Sequence, residues 1–204
     1  MLAYPLSRKD MPLSGPLAFL VFFTILFSGG LVPTYMVYTR IFHIKNTIFG
    51  LLVPSLLLSP IHILIARSYF KLSIPPNIIE SAKIDGAGEG IIFFRFILPL
   101  SLPILATIGL LSGIHYWNDW NNGLIYILKP ELYNMQNLLY RMMQNIMFLT
   151  TQQEDTGIDT SAMPIPSSAV RMAIAVVGAL PMLFLFPLFQ QYFVKGIVLG
   201  AVKE

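Results

Sequence analysis

Four stretches of this sequence contain no Asp, Glu, Lys or Arg: Met11–Thr39, Asn46–Ala66, Phe96–Asn118 and Met172–Val194. Each matches or exceeds the ~20 residues that a helix needs to cross the hydrocarbon of a bilayer. Helices buried in soluble proteins seldom run so long without a charge, and none of the four alternates as a barrel strand would. Hydrocarbon offers no water to satisfy backbone groups, so each window reads as a helix. Composition agrees: 55% of residues are hydrophobic, 11% are charged and mean hydropathy is +0.70. The expected fold class is all-α, a polytopic membrane helix bundle of about four transmembrane helices set in a lipid bilayer.

The first window predicts a helix over Leu13–Phe27, a break at Ser28-Gly29-Gly30 and an interfacial piece over Leu31–Tyr38. Tyr35 and Tyr38 would then lie at head-group level, where amphipathic aromatics settle. The second helix is expected over Thr47–Ala66, interrupted by Pro54 and Pro60, and the third from Leu98-Pro99 to about His115. The fourth runs from about Met172 to Phe193, with kinks at Pro181 and Pro187. Between the last two, Trp117–Pro166 forms a long external segment. It holds an amphipathic helix over Met135–Leu149 and loop composition over Thr150–Ser168.

Between the second and third windows lies the polar segment 71–97. Pro75 and Pro76 suit a first helical turn, where the missing N–H would have no intrahelical partner anyway. Ile78, Ile79 and Ala82 then fall on one face, with Glu80, Lys83 and Asp85 largely opposite. Gly86-Ala87-Gly88 breaks this helix, and a second resumes near Glu89 towards Leu98-Pro99. The product is a small helix–turn–helix that presents a surface. The residues alone leave open whether that surface meets a partner or lies on the membrane. Eight basic residues share a side with this segment and both termini, against five on the other, a weak positive-inside bias that makes it cytoplasmic.

Several chemistries are excluded. There is no cysteine, so disulfides, thiolate metal sites and cysteine nucleophiles are absent. His43, His62 and His115 stand too far apart for a metal-ligand spacing, and no nucleophile–base or carboxylate pair emerges. The chain is therefore read as having no catalytic residues and no metal site. Gly86-x-Gly88-x-Gly90 lacks the preceding strand of a dinucleotide loop, and no phosphate-binding Gly-x-x-x-x-Gly-Lys-[Ser/Thr] occurs. No cofactor is expected, and any ATP must be bound by a partner. A net charge of +3 is too small to imply nucleic acid. Trp117, Asn118, Asp119, Trp120 and Asn121 form an aromatic, polar cluster at a helix end. It reads either as an interfacial belt with a helix-terminal carboxylate, or as a lining for sugar passage in which aromatic faces stack on pyranose rings.

Glu80-Ser81-Ala82-x-x-Asp85-Gly86-Ala87 followed by Phe96-x-Leu98-Pro99 resembles the signature loop of importer-type ABC transporter permeases. That family carries Glu-Ala-Ala, a following Gly and Ile-x-Leu-Pro, so Ser81 and Phe96 are small departures. Ala3-Tyr4-Pro5-Leu6-Ser7-Arg8-Lys9, Phe27–Tyr35, Trp117–Trp120 and Phe193-Val194-Lys195-Gly196 resemble its carbohydrate-importer branch, and the likeness covers nearly the whole chain. It implies a multi-pass permease subunit in a bacterial plasma membrane, with both termini cytoplasmic. Residues 71–97 would be the coupling loop, with Glu80, Ser81, Ala82, Asp85, Gly86, Ala87, Leu98 and Pro99 meeting the ATPase. The implied partners are two copies of a cytoplasmic ABC ATPase, a second permease subunit and an extracellular solute-binding protein. In the family, the motif found here at Ala3–Lys9 closes one helix and follows another, and this chain is expected to lack those two. Residues 1–204 are accordingly expected to form a single, N-terminally shortened permease domain. The alternatives are a truncated, non-functional permease and an ion-coupled secondary carrier. Carriers usually bury an ionisable residue mid-membrane, whereas these windows hold only His62 and His115, towards helix ends.

Overall fold

The structure, a computed structural model, describes residues 2–8, 10–54, 57–156 and 168–201. Those residues form helices joined by short turns, with no strand among them. They divide into two compact units, each made of separate stretches of chain: residues 1–29, 58–112 and 187–204 in the first, 30–57 and 113–186 in the second.

In the first unit the short helix Ala3–Ser7 packs on Pro60–Ser73 and Ser14–Leu26. Its core gathers Tyr4, Ala66, Phe70, Ile74, Ala82, Ile92, Ile97 and Ile104, with Ile92 and Ile97 fully buried. Outside that core many large apolar residues are exposed. On Ser14–Leu26 only Ala18 and Val21 are buried, while Phe19, Leu20 and Leu26 are more than half exposed. Water would not tolerate so continuous an apolar surface, whereas lipid or further protein would.

Proline placement decides where the helices break. The single helix expected over Thr47–Ala66 is replaced by one turn, Phe49–Leu52, and a longer helix, Pro60–Ser73. Ser59, preceding Pro60, is extended (φ −95°, ψ 114°), as the clash with a proline ring favours. Pro60 then occupies the first turn, and the helix runs on past Ala66 to end with Lys71 in its last turn. The third window also bends. Glu89–Leu100 and Leu102–Asn118 meet at Ser101 with an angle of 72°. Pro103 can donate no N–H to the carbonyl of Pro99, which breaks the ladder at that point. The buried Ser101 hydroxyl instead donates to the carbonyls of Ile97 and Leu98, both at 2.9 Å.

The first window follows expectation, with helices Ser14–Leu26 and Leu31–Ile41 either side of Gly30, whose φ is +81°. The fourth is one continuous helix, Ser168–Ala201, through both prolines. By length and composition Ala169–Pro187 can cross a membrane unbroken, and the two bent pairs pass the same test only when each is joined. Four expected spans thus become one unbroken helix, two broken ones and the interrupted 46–66 stretch. The helix expected over Met135–Leu149 extends to Thr156, and the remainder of the expected loop, 157–167, lies outside the described residues.

In the second unit Asn121–Tyr126 packs on Phe49–Leu52, with Gly50 against Tyr126 and Gly123 against Asn134 and Asn137. A Cβ on Gly50 would meet the Ile44 carbonyl at 2.9 Å, and one on Gly123 would meet the Asn134 and Asn137 side chains at 2.8 Å. Asn46 (φ +58°) turns the chain so that its N–H reaches the Tyr126 carbonyl at 3.0 Å and its side chain accepts from the Leu128 N–H at 2.6 Å.

Candidate functional site

The expected helix–turn–helix is present. Its first limb is Pro76–Ile84, entered through Pro75 with extended backbone (ψ 132°). The limb ends at Gly86, whose φ of +79° is the left-handed conformation that glycine reaches without strain. The Gly86 N–H donates to the Lys83 carbonyl at 3.0 Å and the Ala87 N–H to the Ala82 carbonyl at 2.9 Å. This paired closure satisfies two otherwise orphaned carbonyls and fixes the direction of the outgoing chain. Ala82 is buried and Ala87 packs on the same core, supplying the apolar contact that accompanies such a cap. The chain resumes at Glu89–Ile91, continues in wide turns over Ile92–Ile97 and reaches Leu98–Leu100.

Of the residues expected in the loop, Glu80, Ser81, Asp85 and Gly86 are exposed around this turn, while Ala82 anchors it from beneath. The Ser81 hydroxyl returns to the Asn77 carbonyl at 2.8 Å, so it serves the helix itself. Leu98 and Pro99 sit at the far end of the second limb, half-buried and exposed respectively. Ile84, by contrast, is 86% exposed beside the glycine turn. An isoleucine so placed contributes nothing to the core.

The charged residues supporting the hairpin come from the start of the chain. Arg8 donates to both oxygens of Glu89, with Nη2–Oε1 at 3.0 Å, and to Asp10, with Nε–Oδ1 at 2.8 Å. Lys83 lies 3.2 Å from Asp10 and 3.4 Å from Glu89. One network thus ties the segment preceding Ser14–Leu26 to both limbs of the hairpin. The bond from Arg8 is the main cause that lowers both the Asp10 and the Glu89 carboxyl below their ordinary range. Beside the network lies a cavity of about 590 Å³, with Phe70, Ile74 and Ile79 in its lining and Lys71, Glu80 and Lys83 adding charge. Spacing along the chain gave no sign that residues 8 and 10 would meet residue 89. The available signal was their scarcity, since few charges in so apolar a chain are spent without a partner.

The Trp117–Asn121 cluster falls in the second unit and divides by role. The Trp117 indole donates to the Gly178 carbonyl at 2.8 Å. Asp119 accepts the Asn122 N–H at 3.1 Å in the first turn of Asn121–Tyr126. Trp120 stacks on Tyr140 (ring centroids 4.2 Å apart, planes at 15°) and stays 39% exposed; Asn118 and Asn121 are exposed. Among the described residues, no three His, Asp or Glu side chains gather where they could hold a metal.

Residues 11–199 match the family described as binding-protein-dependent transport system inner membrane component. Over its whole length the chain is 37% identical to the polygalacturonan/rhamnogalacturonan transport system permease protein YtcP of Bacillus subtilis, covering 69% of that protein. It is 35% identical to protein LplC of the same organism, over 99% of this chain and 66% of the relative. A crystal structure of a bacterial ABC transporter involved in the import of the acidic polysaccharide alginate aligns with a TM-score of 0.75 at 26% identity. That alignment covers 94% of this chain and 66% of the other. The chain thus spans about two thirds of the length of these proteins. A match running over nearly all of its residues places it: the chain belongs to the family of binding-protein-dependent transport system inner membrane components, as a membrane permease subunit and not an enzyme.

Proposed function

We propose that the chain is the permease subunit of an ATP-driven ABC importer that carries an oligosaccharide across the plasma membrane. The observation that carries this reading is the capped hairpin around Gly86, exposed at its tip and braced from beneath, in a chain of this family. The hairpin seats on a separate cytoplasmic ATPase, two copies of which close on ATP. Glu80 supplies a polar contact and Ile84 an apolar one. The Arg8–Glu89–Asp10–Lys83 network passes the resulting displacement to the segment that leads into Ser14–Leu26, so the hairpin and that helix move as one body. A second permease subunit completes the passage and an extracellular solute-binding protein delivers the sugar.

Support for a carbohydrate cargo comes from the relatives named for polygalacturonan, rhamnogalacturonan and alginate. In the passage, Trp120, Asn118 and Asn121 offer an exposed ring and exposed amides, while Trp117 and Asp119 hold the local fold. Both termini and the hairpin lie in the cytoplasm. Reporter fusions after Lys71 and after Gln152 will therefore give opposite sides, and the same side for both would overturn this orientation.

The function is tested in cells whose own copy of this chain is deleted and then restored. Restored cells regain uptake of a labelled oligosaccharide that the deletion strain no longer takes up, and that uptake survives a protonophore but not ATP depletion. Uptake that collapses with the ion gradient while ATP is held constant would instead favour an ion-coupled carrier.

A further inference from the structure

Arg141 is a half-buried cation. Its Nε donates to the Asn137 side-chain oxygen at 2.7 Å, and its guanidinium lies 4.4 Å from the centre of the Tyr133 ring. No carboxylate among the described residues pairs with it; the ion pairs they form all belong to Arg8 and Lys83. Taking a guanidinium partly out of water without a counter-charge is unfavourable. The fixing is also specific. Asn137 is fully buried, and its amide donates to the Trp120 carbonyl at 3.0 Å while its oxygen accepts from Arg141. A single buried side chain therefore joins the cation to the backbone of Trp120, whose ring stacks on Tyr140, the neighbour of Arg141.

With Nε engaged and one face against Tyr133, the two terminal nitrogens remain to donate in parallel. That fork matches a planar carboxylate, and its rotation is already restricted before any ligand arrives. The Trp120 ring, whose backbone the same Asn137 holds, is 39% exposed and offers apolar surface to a sugar ring. Cation and aromatic plate together fit a sugar that carries both a pyranose face and a carboxylate.

We propose that Arg141, held by Asn137 and Tyr133, binds the carboxylate of a uronic acid unit whose ring stacks against Trp120, which makes the cargo an acidic oligosaccharide. This rests on the reading of the chain as a carbohydrate permease and narrows it to one substrate class.

The test replaces the chromosomal copy by Arg141→Gln or Arg141→Lys and follows uptake of labelled trigalacturonate and of a neutral trisaccharide, with permease matched by blot. Lysine keeps the charge but cannot reproduce the Nε bond to Asn137, so it separates charge from scaffold. Arg141→Gln is expected to lower trigalacturonate uptake roughly tenfold, as befits the loss of a charge-assisted contact. Arg141→Lys keeps the charge but not the parallel fork, so its uptake should fall between that of wild type and Arg141→Gln, and neither variant should alter uptake of a neutral sugar that this chain carries. Equal loss of both sugars would mean that Arg141 only supports the fold, and no loss of either would mean that it meets no cargo; each result overturns the proposal. Wild-type cells that use this chain for the neutral sugar but not for trigalacturonate would overturn the uronate site and leave the carbohydrate permease standing. No uptake of either sugar through this chain would overturn both.

Discussion

Arg8 holds Glu89 through both of its terminal nitrogens, although the two residues stand 81 positions apart in the chain. The arginine side chain is 9% exposed and the glutamate 58% exposed, so the pair sits at the edge of the core with the carboxylate outermost. An isolated exposed pair would contribute little. Here the same arginine also holds Asp10, and Lys83 approaches both carboxylates, so the four charges form one network. Its strategic feature is geometry: it joins the approach to Ser14–Leu26 to both limbs of the Gly86 hairpin.

Arg8→Gln should therefore lower transport more than it lowers ATPase binding. Co-purification of the ATPase depends on the hairpin tip, which the substitution leaves in place, whereas uptake depends on the hairpin moving with its neighbours. Glu89→Gln should act in the same direction. Residues of one network couple by roughly 0.5–3 kcal/mol, so the double variant should lose little more than either single one. Additive losses in uptake would show that the two residues act separately.

The network also predicts a pH dependence with a definite sign. Asp10 and Glu89 are held below their ordinary values, chiefly by Arg8. A group whose folded pKa is depressed stabilises above its unfolded value, about 4 for these carboxyls, and loses that contribution as pH falls through the folded value. The difference in melting temperature between wild type and Arg8→Gln in detergent should be constant from about pH 6 to 8. It should shrink below about pH 4. A gap that persists undiminished at pH 3 would mean that Arg8 acts through packing.

Much of this arrangement was legible in the residues, for reasons that separate local from distant information. Pro76 and Gly86 act within one turn of themselves, so the first limb and its end could be read directly. Pro60 is equally local, yet the 46–66 window looked continuous because hydropathy averages over a break that the extended Ser59 makes complete. The pairing of Arg8 with Glu89 depends on how Ala3–Ser7 packs on Pro60–Ser73, which no periodicity encodes. The Trp117–Asn121 cluster was visible as a composition, but its division was not. Only the fold shows that the Trp117 N–H is used by Gly178 while the Trp120 ring remains partly open.

That division predicts opposite phenotypes for the two tryptophans. Trp117→Phe keeps an aromatic side chain, though a smaller one, and removes the donor to Gly178, a loss of about 1 kcal/mol for the hydrogen bond. It should reduce thermal stability while leaving the uptake of each surviving molecule near normal. Trp120→Ala should leave the amount of permease in the membrane unchanged and reduce uptake. Equal uptake per molecule with Trp120→Ala would return the cluster to the role of an interfacial belt.

Gly86 separates backbone strain from steric contact. A Cβ built there meets nothing within 4 Å, so a side chain costs the free permease only its left-handed backbone, φ +79°. For valine that strain is roughly 1–2 kcal/mol, while asparagine tolerates the conformation far better. If the turn presses against the ATPase, Gly86→Asn and Gly86→Val should both lower ATPase recovery, because both fill the space above the turn. If only the shape of the turn matters, Gly86→Asn should bind as wild type. Full recovery with both variants would remove the turn from the docking surface.

Ile84 gives the most direct test of docking, because the unbound permease makes so little use of it. It is 86% exposed and sits in the last turn of Pro76–Ile84, next to the capped Gly86 turn. Ile78 and Ile79 are only partly exposed, and Ile79 packs on the core with Ala82, so substituting Ile84 leaves the anchoring face intact. Complete burial of an isoleucine side chain on binding is worth roughly 1.5–3 kcal/mol. Ile84→Ser should therefore weaken ATPase association by about tenfold or more, the factor that each 1.4 kcal/mol represents. Permease abundance and melting temperature in the absence of ATPase should stay at wild-type values. The measurement is a titration of purified ATPase onto permease complexes in nanodiscs, with Ile84→Leu as the variant that keeps an apolar side chain of the same size. Wild-type affinity in Ile84→Ser would mean that the hairpin tip stays solvated in the assembled transporter, and the contact would then have to lie on the Glu80 face instead.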